Sequence, residues 1–350
     1  MIRDGDDMTP DFILEAHGLD KSKWEVVSYK NNMWNTQVKG GAKQISYQSK
    51  LTAKPKVGGF DLKAIDRHFA ELERKFKTPV ILPARQEGEL IVEINISDLH
   101  FGRLCWWGDT GNNYDYKISR DIFKKIISDI YHELKGKSIE YISFPIGNDL
   151  INSDTPDKTT TAGTPMDTDI RWQKLTDAAT DMVIWAIELL KDIAPVRAFY
   201  VKSNHDEVTT YGIVSTVNAW FRNDERVDVD KTPIGRKYRL YGNTLVGYSH
   251  GNTEKPLRGN KDNPCRLAAL MPVEAPLMWA QSKFHEFHAA HFHSEQTTLE
   301  MNGVIVKRIS SPTADDTWTF ENGYVGSVRK AQTFIFDKER GLVQTINTPV

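Results

Sequence analysis

The sequence predicts an α/β protein: a largely parallel sheet with helical crossovers, preceded by a small α+β unit. Three observations predict it. After residue 88, apolar strand segments alternate with amphipathic helices in βαβαβ order, which implies parallel pairing with right-handed crossovers. From residue 237 onward, turn signals of the hairpin type take over, at Gly242-Asn243 and Asn302-Gly303. Before residue 88 a short helix, two β segments and an amphipathic helix stand apart from that alternation. The chain of 350 residues suffices for one large domain plus an accessory unit. The expected division is 1–88 for the accessory unit and 89–350 for the main domain.

Residues 9–18 begin with Thr9 as a cap and Pro10 at the first helical position, and end at Gly18, so they predict a short helix. Residues 24–29 and 44–48 predict two strands around Gly40-Gly41. Over residues 61–77, Leu62, Ile65, Phe69, Leu72 and Phe76 recur at helical spacing. Residues 78–88, with Pro79, Pro83 and Gly88, read as a linker. In the main domain, residues 90–96, 139–146 and 196–201 predict strands. Residues 119–134 predict a helix capped by Ser119, with Ile122, Ile126, Ile127 and Ile130 inward. A second helix runs over 175–193 and stops at Pro195.

With 39% hydrophobic and 26% charged residues the chain has the composition of a globular protein. A net charge of -2 gives no overall attraction to nucleic acid, so any basic surface is local. Such a surface is expected in the accessory unit. Lys21, Lys23, Lys30, Lys39, Lys43, Lys50, Lys54 and Lys56 are interleaved there with Trp24, Tyr29, Trp34 and Tyr47. Lysines neutralise phosphates and aromatic rings stack on bases; equally, the rings can be the core of a small β unit and the lysines its solvated exterior. Cys105 and Cys265 have no metal-ligand spacing and read as two thiols rather than a disulfide. The acidic N-terminal residues do not resemble a signal peptide, and no apolar run approaches membrane-span length. The expected location is cytoplasmic, with no membrane partner.

Ligand-type residues fall where the strands end. Asp98 and His100 follow the first strand, Asp149 and Asn152 the second, and Asn204, His205 and Asp206 the third. His250 follows a hairpin strand, and His291 and His293 follow a segment expected to be helical, with His285 on that helix and His288 at its end. Sites in open α/β sheets lie beyond the carboxyl ends of strands. Two adjacent divalent cations repel each other and need a shared anion, for which Asp149 is suited; neutral imidazoles ligate without adding negative charge. The one-residue spacing in Asp98-Leu99-His100 and His291-Phe292-His293 is expected to put both side chains on one side of an extended segment. The polar segment 155–169 is expected either to line a cleft or to be a plain surface connection. His17, His68 and His132 read as surface residues on helices.

The ordered set Asp-x-His, Gly-Asn-Asp-x-x-Asn, Asn-His-Asp, His-Gly and His-x-His resembles the calcineurin-like metallophosphoesterase superfamily over residues 90 to 312. The text around Ser97–Gly102, Gly147–Leu150 and Ala219–Asp224 is similar to phosphoesterases encoded by phages and prophages. The resemblance implies a two-sheet β-sandwich flanked by helices and a phosphoester hydrolase with two divalent transition-metal ions, manganese first and iron, zinc or nickel as alternatives. It implies one metal held by Asp98, His100, Asp149 and His293, and the other by Asp149, Asn204, His250 and His291. It implies His205 as the proton donor to the leaving oxygen and Asp206 as the residue that holds His205. Three positions depart from the family pattern: Asn148 stands between Gly147 and Asp149, Ser203 precedes Asn204, and Ala290 precedes His291. The substrate expected first is DNA, with a small cyclic or linear nucleotide as the alternative. A protein phosphatase or a non-catalytic metal-binding scaffold ranks lower.

Overall fold

The structure is a computed structural model that describes residues 9–37, 43–56, 67, 70–71, 86–253, 265–295 and 300–350. The expected turn at Gly40-Gly41, His68, nearly all of the helix over 61–77 and most of the linker lie outside the described residues. The chain divides into two units, Met1–Lys77 and Thr78–Val350.

In the first unit, α1 (Pro10–Ala16) starts where expected, with the Thr9 hydroxyl accepting from the Phe12 amide. Strands β1 (Trp24–Gln37) and β2 (Lys43–Pro55) pair antiparallel from Trp24↔Pro55 to Gln37↔Lys43. Both are longer than the residue pattern predicts, because backbone pairing carries them through polar stretches. Tyr29, Trp34 and Tyr47 are 41%, 49% and 40% exposed, so these rings are not the core of the unit.

The second unit contains a six-stranded sheet in the order β13-β12-β3-β4-β5-β6. Strands β3 (Leu90–Asn95), β4 (Ile139–Gly147), β5 (Val196–Val201) and β6 (Val227–Asp230) run parallel, as the βαβαβ order requires. Strands β12 (Lys330–Asp337) and β13 (Gly341–Pro349) join the β3 edge antiparallel and make the sheet mixed. Gln86 and Gly88, assigned by sequence to the linker, sit against this sheet. Gln86 donates to the Ile139 carbonyl, and a Cβ at Gly88 would meet the Glu140 amide at 2.3 Å.

The second sheet has the order β10-β11-β9-β8-β7. Strands β7 (Lys237–Tyr241) and β8 (Thr244–Ser249) form the hairpin signalled by Gly242-Asn243. Strands β10 (Glu300–Met301) and β11 (Val304–Arg308) form the one at Asn302-Gly303. Between them lies β9 (Phe284–Ala289), parallel to both neighbours. The sequence places His285 and His288 on or at the end of a helix; both are on β9 instead.

Helices α2 (Trp107–Thr110), α3 (Tyr116–Leu134), α4 (Trp172–Leu190), α5 (Glu207–Trp220), α6 (Cys265–Glu274), α7 (Pro276–Gln281) and α8 (Thr317–Glu321) complete the unit. The cap of α3 is Asp115, whose carboxylate accepts from Lys117 and Ile118 at 2.8 and 2.7 Å; Ser119 is buried one turn inside. Three apolar layers define the architecture. Phe123, Ile126, Leu175 and Val214 pack helices α3–α5 on one face of the large sheet. Ile91, Phe199, Tyr248 and Phe334 fill the space between the sheets. Leu245, Met271, Phe287 and Val306 back the small sheet with α6. The fold is a two-sheet β-sandwich flanked by helices. No described helix is long and apolar enough to cross a membrane.

Candidate metal centre

Five segments leave the carboxyl ends of β3, β4, β5, β8 and β9 and converge. The backbone that carries them is strained. Asp98, His100, Asn148, Asp149, His291 and His293 have φ of 50°, 45°, 52°, 57°, 76° and 52°. They are six of the eight non-glycine residues with positive φ among the described residues. L-residues avoid this region, and such strain collects at functional sites. Gly147 leads into the turn at φ 123°, where a Cβ would lie 2.0 Å from the Val201 carbonyl oxygen. The expectation of extended Asp98–His100 and His291–His293 segments is therefore corrected: their side chains converge through left-handed backbone, not through strand alternation.

All seven ligand-type residues meet at one point. Asp149 Oδ2 is 3.0 Å from His250 Nε2 and 3.8 Å from His100 Nε2. Asp98 Oδ1 is 3.8 Å from His293 Nε2 and 4.0 Å from His250 Nδ1. The Nε2 atoms of His100 and His293 face each other at 3.0 Å. Asn204 Oδ1 lies 2.8 Å from His250 Nε2, which is 3.3 Å from His291 Nδ1. Three sets of potential ligand atoms, each within 4.8 Å of one another, share members: Asp98–His100–His293, His100–Asp149–His205 and Asp149–His250–His291. Asn148, the neighbour that interrupts the family pattern, instead donates to Ser97 Oγ at 3.2 Å.

The donor set fits divalent cations. Asp98 Oδ1 is buried without a hydrogen-bond partner, which is costly unless a positive charge compensates. Burial, opposed by His250, pushes the Asp98 carboxyl up to about 7. Against the effect of burial, the Asp149 and Asp98 carboxylates raise His250 to about 9. Burial and neighbouring positive charge hold His100 and His293 well below the ordinary histidine value, and burial with His250 brings His291 to about 4. These three imidazoles are thus neutral, the form that binds a metal.

His205 is placed beside the cluster. Its amide donates to Asp149 Oδ1 at 2.9 Å, and its Nε2 is 4.0 Å from Asp149 Oδ2. Its Nδ1 lies 3.1 Å from the Asn152 carbonyl, which fixes the proton on Nδ1 and turns Nε2 toward the cluster. Asp206 does not hold His205, contrary to the expectation. It accepts from Ser203 Oγ, Ile151 N and Thr210 Oγ1 at 2.6, 2.9 and 2.5 Å, and so ties the β4 and β5 turns to α5. The positioning group is the Asn152 carbonyl, a backbone atom that residue type cannot signal.

No family model matches the chain, and no curated protein matches it. Solved structures similar to it include a dimetal phosphatase from Danio rerio, with a TM-score of 0.36 and 10% identity over 75% of this chain and 99% of that one. Another is Vps29 from Chaetomium thermophilum, with a TM-score of 0.31 and 12% identity over 74% of this chain and 98% of that one. Both are distant.

Segment 155–169 packs beside His205: the Thr161 amide donates to the Asn204 carbonyl, and Thr161 Oγ1 donates to Asp154 and accepts from the Glu207 amide. Arg103, not singled out by sequence, is 2% exposed and links Asn152 Oδ1, the Ala314 carbonyl and Asp316. His285 stacks on Trp279 at 3.7 Å, and His288 lies in a buried network with Glu93 and Glu286; neither belongs to the cluster.

Proposed function

We propose that the chain is a two-metal-dependent phosphoester hydrolase with DNA as its substrate class. One observation carries the hydrolase reading: five segments bring two carboxylates, an amide and four imidazoles together around Asp149. In this reading Asp98, His100, Asp149 and His293 would hold one ion, and Asp149, Asn204, His250 and His291 would hold the other. Manganese is the ion proposed first, with iron, zinc and nickel as alternatives: carboxylate and amide oxygens suit manganese, and imidazole nitrogens suit iron, zinc and nickel. Such an ion pair, when bound, supplies positive charge for the phosphate and acidifies water. The chain's own residues do the rest. Asp149, common to both sets, would supply negative charge to both ions. His205, its Nδ1 proton held by the Asn152 carbonyl, presents Nε2 to the leaving oxygen; as the imidazolium it carries a second proton there, made more acidic by burial, and gives it to that oxygen as the ring returns to neutral.

The DNA reading is supported by the β1–β2 ribbon. Lys30 lies directly opposite Lys50, and both are exposed. Among the described residues neither has a carboxylate partner, and like charges directly opposite destabilise a ribbon unless an anion joins them. Trp34 is on the same face and 49% exposed. Cation and ring on one face suit a nucleic-acid backbone and its bases.

The test is a substrate panel on purified, manganese-loaded protein: single- and double-stranded DNA, RNA, cyclic nucleotides and bis-nitrophenyl phosphate. Chelator-sensitive hydrolysis of the aryl diester, with DNA cut faster than cyclic nucleotides, is expected. No hydrolysis of any member would contradict the reading, and a preference for cyclic nucleotides would replace DNA by a small nucleotide.

A further inference from the structure

Four large aromatic side chains stand in solvent around α2 and α8: Trp106 is the N-cap of α2 and Trp107 its first residue, Trp318 is on α8 and Tyr324 follows it. Trp106, Trp107, Trp318 and Tyr324 are 64%, 67%, 64% and 64% exposed. Isolated exposed rings are ordinary, but contiguous ones mark a binding surface. Helices α2 and α8 pack against each other. The Trp106 ring lies over Gly108, where a Cβ would come within 2.4 Å of it, so glycine is what lets the indole lie flat. Trp318 and Tyr324 stack with ring centres 5.7 Å apart and planes 26° apart.

Both helices are tied to the proposed ligands. The Arg103 amide donates to the His100 carbonyl, and Cys105 pairs with Tyr114, whose hydroxyl donates to the Leu99 carbonyl at 2.6 Å. On the other side, Arg103 Nε lies 3.7 Å from Asp316, which caps α8, and 3.4 Å from Asn152, whose carbonyl orients His205. The platform is held in register with the centre by the same buried arginine.

Resting on the nucleic-acid reading above, we propose that Trp106, Trp107, Trp318 and Tyr324 form a stacking platform for unpaired bases of a single-stranded nucleic acid whose phosphodiester enters the metal centre. The surface offers flat ring faces. The charged groups exposed on its two helices include Asp109 and Glu321, which disfavour phosphate or an anionic membrane there but not neutral bases. Base stacking on aromatic side chains is sequence-tolerant. Duplex bases are already stacked and present no free face.

The experiment measures fluorescence anisotropy of a labelled, hydrolysis-resistant phosphorothioate oligothymidylate on metal-loaded protein. An abasic strand of the same length, a duplex and thymidine monophosphate as competitor are the other probes. The single strand is expected to bind at least about tenfold tighter than the abasic strand. Trp106→Ala and Trp318→Ala should each weaken it about 5- to 100-fold, since stacking contributes about 1–3 kcal/mol per base and 1.4 kcal/mol is tenfold. The loss should fall on the base-bearing strand, and Trp318→Phe should restore most of it. Trp220→Ala is the control. It is equally exposed, at 64%, but sits at the far end of α5 from His205, and should cost nothing. Circular dichroism and metal content check that the variants fold. Equal affinity for abasic and base-bearing strands, tighter duplex binding, competition by the monophosphate at strand-like concentrations, or a Trp318→Phe variant as weak as Trp318→Ala would overturn the proposal. Aryl-diester hydrolysis without base preference would sink the platform alone; base preference without any hydrolysis would sink the hydrolase reading alone.

Discussion

At the scale of single residues, Asp149 and His205 carry the account. Asp149 stands at the centre of the cluster, 3.0 Å from His250 and 3.8 Å from His100, and belongs to both proposed ligand sets, while Asn204, 2.8 Å from His250 Nε2, belongs to one. Asp149→Ala should therefore lose both metals and Asn204→Ala should mainly weaken one; elemental analysis after metal loading measures this, and equal losses would contradict the shared role. His205→Ala should leave metal content near wild type. It should lower kcat/KM about 10²–10⁴-fold for an alkyl phosphodiester, the range of general acid catalysis, and far less for a nitrophenyl ester, whose leaving group departs without a proton. Equal losses on the two esters would make His205 a phosphate-orienting residue instead. That these side chains gather was legible in the sequence, because ligand-type residues stand where the strands end. Their conformation was not. The left-handed φ of Asp98 and His293, and the hold of the Asn152 carbonyl on His205, arise from backbone geometry.

At the scale of elements, β3 and β9 show how the two sheets are joined beneath the centre. Glu93 on β3 and His288 on β9 are buried and 2.8 Å apart; His288 also meets Glu286, Glu286 pairs with Lys307, and the Tyr248 hydroxyl donates to Glu93. Five and three residues further on, the same strands deliver Asp98 and His291. Against burial, Glu93 and Glu286 raise the pKa of His288. A raised histidine pKa means that the charged pair's stabilisation is fully present below the ordinary value of about 6.5 and is lost as pH rises through the folded value. His288→Ala should cost about 3–5 kcal/mol in urea unfolding of metal-free protein at pH 6, because it strands buried carboxylates. The difference from wild type should shrink at alkaline pH; a constant difference would mean that packing, not charge, is lost. The sequence misassigned this strand because Phe284–Ala289 lacks β-branched residues and contains good helix formers. Pairing with β8 and β11 decided the outcome.

At the scale of the whole molecule, the strand–helix alternation revealed the parallel core of the large sheet. It did not reveal that β12 joins β3 antiparallel and brings its neighbour β13 with it, since the β12–β3 pairing links segments more than two hundred residues apart and leaves no local pattern. All proposed ligands lie in Thr78–Val350, and Gln86 and Gly88 pack on its sheet. A chain beginning at Thr78 should thus bind both metals and hydrolyse an aryl phosphodiester at a rate within about twofold of the full chain. Its DNA binding should be weaker and less salt-dependent, because the ribbon lysines are gone. Aryl-ester activity that vanishes although the fragment folds would contradict the assignment of the site to one unit. The central claim is a pair of metal ions acting together on a phosphoester, and the direct measurement is a metal titration of metal-free protein that follows bound ion and aryl-diester hydrolysis in the same samples. The account predicts two ions per chain at saturation, activity that rises with the second ion, and loss of both in Asp149→Ala. Full activity at one ion per chain, or activity that survives complete chelation, would contradict it.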